Sequence, residues 1–247
     1  MKKLVLPLVV WLGLWWALAA HMGLPLLLPT PWEVLQELGR LVITTDFWRT
    51  ALATLSRVFL GGTLGIGMGF AVAVLSARFD FCSAVFAPAV KVIRATPVAS
   101  FIILVWLWAK SAWVPAVIAA LMALPIAWSS TLQGISEADP QLLELAQVYR
   151  FSKVKTARLV YLPAMESALA AGCRSALGFA WKSGVAAEAL CRPAQAMGTE
   201  IWNAKTYLET PRLFAWTAAV VLLSLLVEKL LWWLWQRGER RRGHGAA

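Results

Sequence analysis

Four ionisable residues, Glu166, Arg174, Lys182 and Glu188, interrupt a stretch from 162 to 188 that is otherwise apolar or small. A helix turns by 100° per residue, so with Glu166 at zero the four fall near 0°, 80°, 160° and 40°, an arc of about 160°. On insertion scales a lipid-facing charge costs at least about 2.5 kcal/mol, so this stripe faces protein or a water-filled path. Two readings follow. Arg174, Lys182 and Glu188 line a translocation path, or they form structural pairs with neighbouring helices, which Glu166 near the end of the stretch favours for itself. Other chemistry has little to work with. The only histidines are His21 and His244, and Cys82, Cys173 and Cys191 have no metal-ligand spacing. Without a paired-acid or ligand cluster, neither a catalytic centre nor a metal site is expected. Glycines crowd residues 61–69, but no Gly-Lys-Ser/Thr follows, so they do not form a phosphate cradle.

The second chemistry-bearing region is the polar segment from Glu137 to Leu162. Asp139-Pro140 is an N-cap followed by proline at the first helical position. Leu142, Leu143, Ala146 and Tyr149, with Leu145 alongside, then give a short helix with an apolar face. Ser152 caps a second short helix carrying Lys153, Lys155 and Arg158, which ends near Pro163. Two short helices with exposed apolar positions predict a docking knob for a soluble partner.

The elements that must position these residues are membrane helices. Hydrophobic residues make up 60% of the 247 positions and charged ones 15%, too few to solvate the surface of a water-soluble domain of this size. No formal charge lies between Lys3 and Glu33, between Arg57 and Arg78, or between Lys110 and Glu137. Each gap accommodates a helix of about 20 residues, enough to cross the hydrocarbon core. Six spans are predicted, at 4–25, 50–75, 92–110, 112–134, 162–188 and 212–235. Pro88 and Pro97 flank Lys91 and Arg94, so the chain is expected to follow the membrane boundary there and bend at Arg94–Pro97. The N-terminal run continues past Ala17-Leu18-Ala19 into Leu24-Pro25-Leu26, which favours a span over a cleaved leader. In the second span, Gly61, Gly65 and Gly69 form small-xxx-small pairs that allow close helix packing. Between the first two spans, Thr30-Pro31-Trp32-Glu33 is a capping box opening an amphipathic helix that is expected to lie at the outer membrane surface.

With both termini inside, thirteen basic residues fall on the cytoplasmic side (Lys2, Lys3, Arg78, Lys91, Arg94, Arg150, Lys153, Lys155, Arg158, Arg237, Arg240, Arg241 and Arg242). Six fall outside (Arg40, Arg49, Lys110, Arg192, Lys205 and Arg212). That is the asymmetry of the positive-inside rule. The net charge of +10 thus reflects short loops and a tail, and most of the 15 Trp lie in or beside apolar runs. A nucleic-acid groove would instead interleave the two, so none is expected. Membrane lipid is the expected surrounding.

The 137–163 segment resembles the "EAA" loop of ABC importer permeases: Glu-Ala-Ala, three residues, Gly, nine residues, Ile, one residue, Leu-Pro. Here Glu144-Leu145-Ala146 is followed by three residues, Arg150, nine residues, Val160, Tyr161 and Leu162-Pro163, with no gap. Leu145 replaces the second-position Ala and Arg150 the Gly, and Arg150 is expected to take an ordinary backbone conformation. Leu28-Pro29-Thr30-Pro31, the glycine-rich second span, Arg94/Pro97, Ala180-Trp181, Ala187-Glu188 and the closing apolar span follow the order of the nitrate/taurine/sulfonate branch over residues 28–235.

The resemblance implies an all-α integral membrane fold, the six-helix bundle of the type I (MetI-like) permease. Residues 1–45 would hold the first span and the outer amphipathic helix, and 46–235 the permease core with its coupling loop at 137–160. Residues 236–247 would form a basic cytoplasmic tail. It implies a bacterial inner-membrane transport subunit that is not itself an enzyme and holds no cofactor, ATP being bound by a partner. The implied partners are a cytoplasmic ATPase dimer, an extracytoplasmic solute-binding protein and a second copy of the permease. By the same resemblance Leu143, Glu144, Ala146, Val148, Arg150, Val160, Leu162 and Pro163 belong to the ATPase-coupling loop. The alternative is a secondary transporter driven by an ion gradient, for which Glu188 is the one candidate intramembrane acid.

Overall fold

The computed structural model of the protein describes residues 2–243; Met1 and residues 244–247, including His244, lie outside the described residues. The described chain is helical almost throughout. In order come α1 (Lys2–Met22), α2 (Pro31–Val42), α3 (Thr45–Arg78), α4 (Asp80–Ala95), α5 (Val98–Trp108), α6 (Val114–Ser136), α7 (Pro140–Val148) and α8 (Lys153–Thr156). A π-helical turn (Ala157–Tyr161), α9 (Leu162–Cys191), α10 (Met197–Thr206) and α11 (Thr210–Gly243) follow. The backbone of α11 runs to Gly243, so the tail expected from residue 236 continues that helix.

Helices α3, α6 and α11 are each long and apolar enough to cross a membrane. The helix pair α4 and α5 passes the same length-and-composition test but is bent by 108°. The span expected at 92–110 is therefore not one straight helix. Thr96 takes an extended conformation before Pro97, as the ring of a following proline demands, and only the 11-residue α5 lies beyond the break. Helix α9 has the length but also the four ionisable residues.

The chain divides into two compact units, residues 1–54 with 188–247, and residues 55–187. In the first unit, α2 begins with the expected capping box. The Glu33 carboxylate accepts from Thr30 N–H at 2.8 Å and Thr30 Oγ1 accepts from Glu33 N–H at 3.3 Å. This satisfies two of the amides left unpaired at a helix start. Its apolar face is covered in part by the chain itself, while Leu35 and Val42 stay exposed. Val34 and Leu41 are buried in a core with Phe47, Met197 and Trp216, each such burial stabilising by about 1.5–3 kcal/mol. Phe47 and Trp216 stack with ring centroids 5.1 Å apart.

In the second unit, α3 meets α6 through its glycines. A Cβ at Gly61 would land on the Ala116 carbonyl, one at Gly65 on the Ala120 carbonyl, and one at Gly69 on the Leu124 carbonyl. The i, i+4 ladder of one helix thus lies on the i, i+4 ladder of the other, backbone to backbone.

Candidate functional site

The loop after α6 is shaped by local signals. Asp139 Oδ1 accepts from Gln141 N–H at 2.8 Å and Pro140 opens α7. At the other end, Phe151 N–H donates to the Ala146 carbonyl at 2.8 Å and Arg150 N–H to the Gln147 carbonyl at 3.0 Å. This 6→1, 5→2 pair is a Schellman closure, which needs its penultimate residue in the left-handed region. Arg150 is there, with φ of 50°. The expectation of an ordinary backbone at Arg150 is thus corrected. The side chain changes from the family's Gly, but the hydrogen bonds that stop α7 still demand the glycine conformation, at a cost of about 1–2 kcal/mol for an L-residue.

Ser152 Oγ then accepts from Lys155 N–H at 3.3 Å and α8 begins. Lys155 Nζ sits 4.0 Å from the centroid of the Phe151 ring. The second short helix does not end before Pro163 as expected. It passes through the π turn, in which Leu162 N–H donates to the Ala157 carbonyl, directly into α9. Pro163 has no N–H to donate and its ring displaces the carbonyl four residues back, which accounts for the change of register.

The exposed face of α7 also differs from expectation. Ala146 is buried (4%) and Leu143 half-buried, while Val148 (78%), Tyr149 (68%), Leu145 and Leu142 are exposed. Ala146 is therefore an inward contact and the outward apolar face is Leu142, Leu145, Val148 and Tyr149. Glu144, Arg150, Leu162 and Pro163 are exposed and Val160 is buried. A nine-residue helix with apolar residues at five successive-turn positions has no single face that sequence spacing can select.

The four ionisable residues of α9 separate. Arg174 and Lys182 are exposed, on the same side as Ser167, Ala171, Ser175 and Gly178, and a Cβ at Gly178 would meet nothing within 4 Å. Lys182 is thus on the uncovered side of α9 and not among the chain's own helices. Glu166 is half-buried and has a partner. Glu188 is wholly buried (0%). Its Oε2 accepts from Thr54 Oγ1 at 2.9 Å and from Gly198 N–H at 3.2 Å, while Thr54 Oγ1 accepts from Met197 N–H at 3.0 Å. Met197 and Gly198 are the first residues of α10, whose leading amides lack partners within the helix, so a carboxylate and a hydroxyl supply them. Sequence reasoning missed α10 and Thr54. The one hint was an acid near the end of a span. Among the described residues, no group of three His, Cys, Asp or Glu could hold a metal ion.

Comparison with known proteins places this geometry. Residues 61–237 match the family model described as the binding-protein-dependent transport system inner membrane component. The Bacillus subtilis (strain 168) permease SsuC, named for aliphatic sulfonates transport, is 28% identical over 94% of this chain and 87% of its own length. The taurine transport system permease TauC of Escherichia coli (strain K12) is 25% identical over 90% and 82%. Among solved structures, a bacterial ABC transporter involved in import of the acidic polysaccharide alginate has a chain of the same fold. Its TM-score is 0.62 at 16% identity, covering 96% of this chain and 94% of that one. An amino acid ABC transporter chain gives 0.61 at 17% identity, covering 77% and 91%. The family sets aside the ion-gradient alternative, since hydrolysis of ATP by a separate subunit drives its members. The chain belongs to the binding-protein-dependent transport inner-membrane family: it is the multi-pass, non-enzymatic permease subunit of an ABC importer.

Proposed function

We propose that residues 137–160 seat this permease on a cytoplasmic ATPase dimer, with Leu142, Leu145, Val148 and Tyr149 as the contact and both termini on the same side of the membrane. The observation that carries the reading is the outward apolar face of α7, Leu142, Leu145 and Val148 continued by Tyr149 at its C-cap, on a helix fixed at both ends by its own caps. Such a face on a soluble loop is a docking surface. The basic asymmetry of the loops favours the orientation. Reporter fusions after Trp113, Lys153 and Lys205 should read outside, inside, outside.

Two permease copies pair around the solute path, and an extracytoplasmic binding protein delivers the solute. Arg174 and Lys182 on the uncovered, small-residue side of α9 face that path, and the solute is a small molecule with an anionic group. Relatives named for sulfonate, taurine, bicarbonate and glycine betaine/carnitine transport support that reading, since each of those solutes carries an anionic group, with a cationic one beside it in taurine, glycine betaine and carnitine. This subunit holds no cofactor, the nucleotide being bound by the ATPase.

The test is Val148→Glu in the complex purified with its ATPase and binding protein and placed in lipid. Because Val148 is exposed, the permease should insert and unfold at the wild-type temperature, while stimulation of ATP hydrolysis by loaded binding protein falls at least about tenfold. Full stimulation in the variant overturns the docking role of α7.

A further inference from the structure

A cavity of about 670 Å³ opens behind the coupling loop, between the end of α3, the end of α6 and the start of α9. It lies within the size range of small-molecule sites. Its lining has a direction. Along α3, Phe70 and Val74 lead to Arg78, so the wall changes from apolar to cationic within eight residues, about 12 Å of helix. Along the opposite wall the same change runs the other way in sequence, from Lys153 to Leu162 and Met165. Both walls are therefore cationic on the loop side and apolar towards the interior of the bilayer that α3 crosses.

No acid lines the cavity. Asp80, Glu137 and Glu166, the nearest in sequence to its lining residues, are not among them. Arg78 and Lys153 are both exposed, and the Arg78 guanidinium lies 5.5 Å from the Phe79 ring centroid, an aromatic contact that leaves its charge uncompensated. Water is a poor occupant of the apolar half, where it would lack the two to four polar partners that a buried molecule needs. A free anion would satisfy the two cations and leave that half empty. One ligand class matches both ends and the direction: an acyl chain against Phe70, Val74, Leu162 and Met165, with a phosphate against Arg78 and Lys153.

We propose that this cavity is a binding site for an anionic glycerophospholipid, held by Arg78 and Lys153 at its headgroup and by the α3–α9 cleft along one tail. Basic pockets between membrane helices bind such headgroups on general electrostatic grounds. The proposal requires the chain to be in a membrane but not that α7 contacts an ATPase.

The full-length permease, purified in detergent, would be titrated with phosphatidylglycerol or phosphatidylcholine and read by native mass spectrometry. Phosphatidylglycerol should bind as a discrete adduct at least about tenfold more tightly than phosphatidylcholine. The Arg78→Gln/Lys153→Gln pair should remove that preference, while Arg40→Gln/Arg49→Gln, which deletes two charges elsewhere, should keep it. Ala77→Trp, which fills the cavity and leaves both cations, should weaken the adduct by a similar factor. Inorganic phosphate at the same concentration should not displace it. Equal binding of the two lipids, wild-type affinity in the cation pair or in Ala77→Trp, or displacement by phosphate alone overturns the proposal. A thermal-unfolding scan identifies a misfolded variant, and the remaining variant then decides.

Discussion

Helices α7 and α10 end in the same way and begin differently. Each is about ten residues long and closes with a Schellman turn around a non-glycine residue in the left-handed region: Arg150 at φ 50° and Leu208 at φ 58°. Glu209 N–H donates to the Ala204 carbonyl at 2.9 Å, as Phe151 N–H does to Ala146 at 2.8 Å. In both, the accepting alanine is buried. The difference lies in what holds the other end. The first amides of α10 are tied to Glu188, on the preceding helix, and to Thr54, 143 positions away, and Arg212 bridges Glu200 and Glu209 at 3.6 and 3.3 Å. Helix α7 is capped at its start by the adjacent Asp139, and its outer face carries three exposed apolar residues, with exposed Tyr149 at its C-cap. One short helix is locked by its own chain, and the other is finished locally and keeps an exposed apolar face.

The largest expected effect tests the lock. Glu188→Ala removes the acceptor of two buried hydrogen bonds and should cost about 2–4 kcal/mol, seen as a lower unfolding temperature and loss of amide protection throughout α10. Glu188→Gln retains an oxygen that can accept from both Thr54 and Gly198, and should recover at least half of the loss. If Glu188→Ala leaves α10 protected, the lock is elsewhere.

A smaller effect should separate the two sides of α7. Ala146→Arg forces a long side chain into a buried position and should destabilise the loop by about 1–3 kcal/mol, with faster amide exchange in α7 and α8. Leu145→Asp on the exposed side should leave exchange unchanged. Equal effects of the two substitutions would mean that α7 has no inner face.

The smallest effect sharpens the likeness of the two closures. Arg150→Gly and Leu208→Gly should each relieve left-handed strain and stabilise by about 0.5–1 kcal/mol, the gain being offset in part by the freer unfolded chain. Hydrogen exchange of the preceding helix should slow by about two- to fivefold in each case. A gain at one position only would show that the two turns are strained to different degrees.

What the sequence made legible was local. Thr30 and Glu33, Asp139 and Pro140, and the Gly61/Gly65/Gly69 ladder state their roles within a few residues, because caps and close packing depend on nearest neighbours along a helix. The spacing from Glu144 to Pro163 identified the loop for the same reason. What was hidden depended on distant partners or on competing local forces. Glu188 meets Thr54 across 134 positions, and no periodicity announces that pair. Arg150 is driven into the glycine conformation by two hydrogen bonds that outweigh a side-chain preference of about 1–2 kcal/mol. The inward face of α7 is selected by packing at Ala146, a residue too small to mark a face by hydrophobicity.

The π turn at Ala157–Tyr161 sets the phase of everything after it. Because α8 runs into α9 without a break, the one residue the turn inserts rotates the long helix by about 100° relative to an uninterrupted α-helix. That offset decides which flank of α9 presents Arg174 and Lys182 and which buries Ala176 and Ala180. Deleting a single residue from the turn would close it to an α-helical turn and leave every downstream residue at its present angle, whereas straightening the turn with all its residues kept would move all of them off target together, so the angular address of the whole helix is written in five residues of the loop.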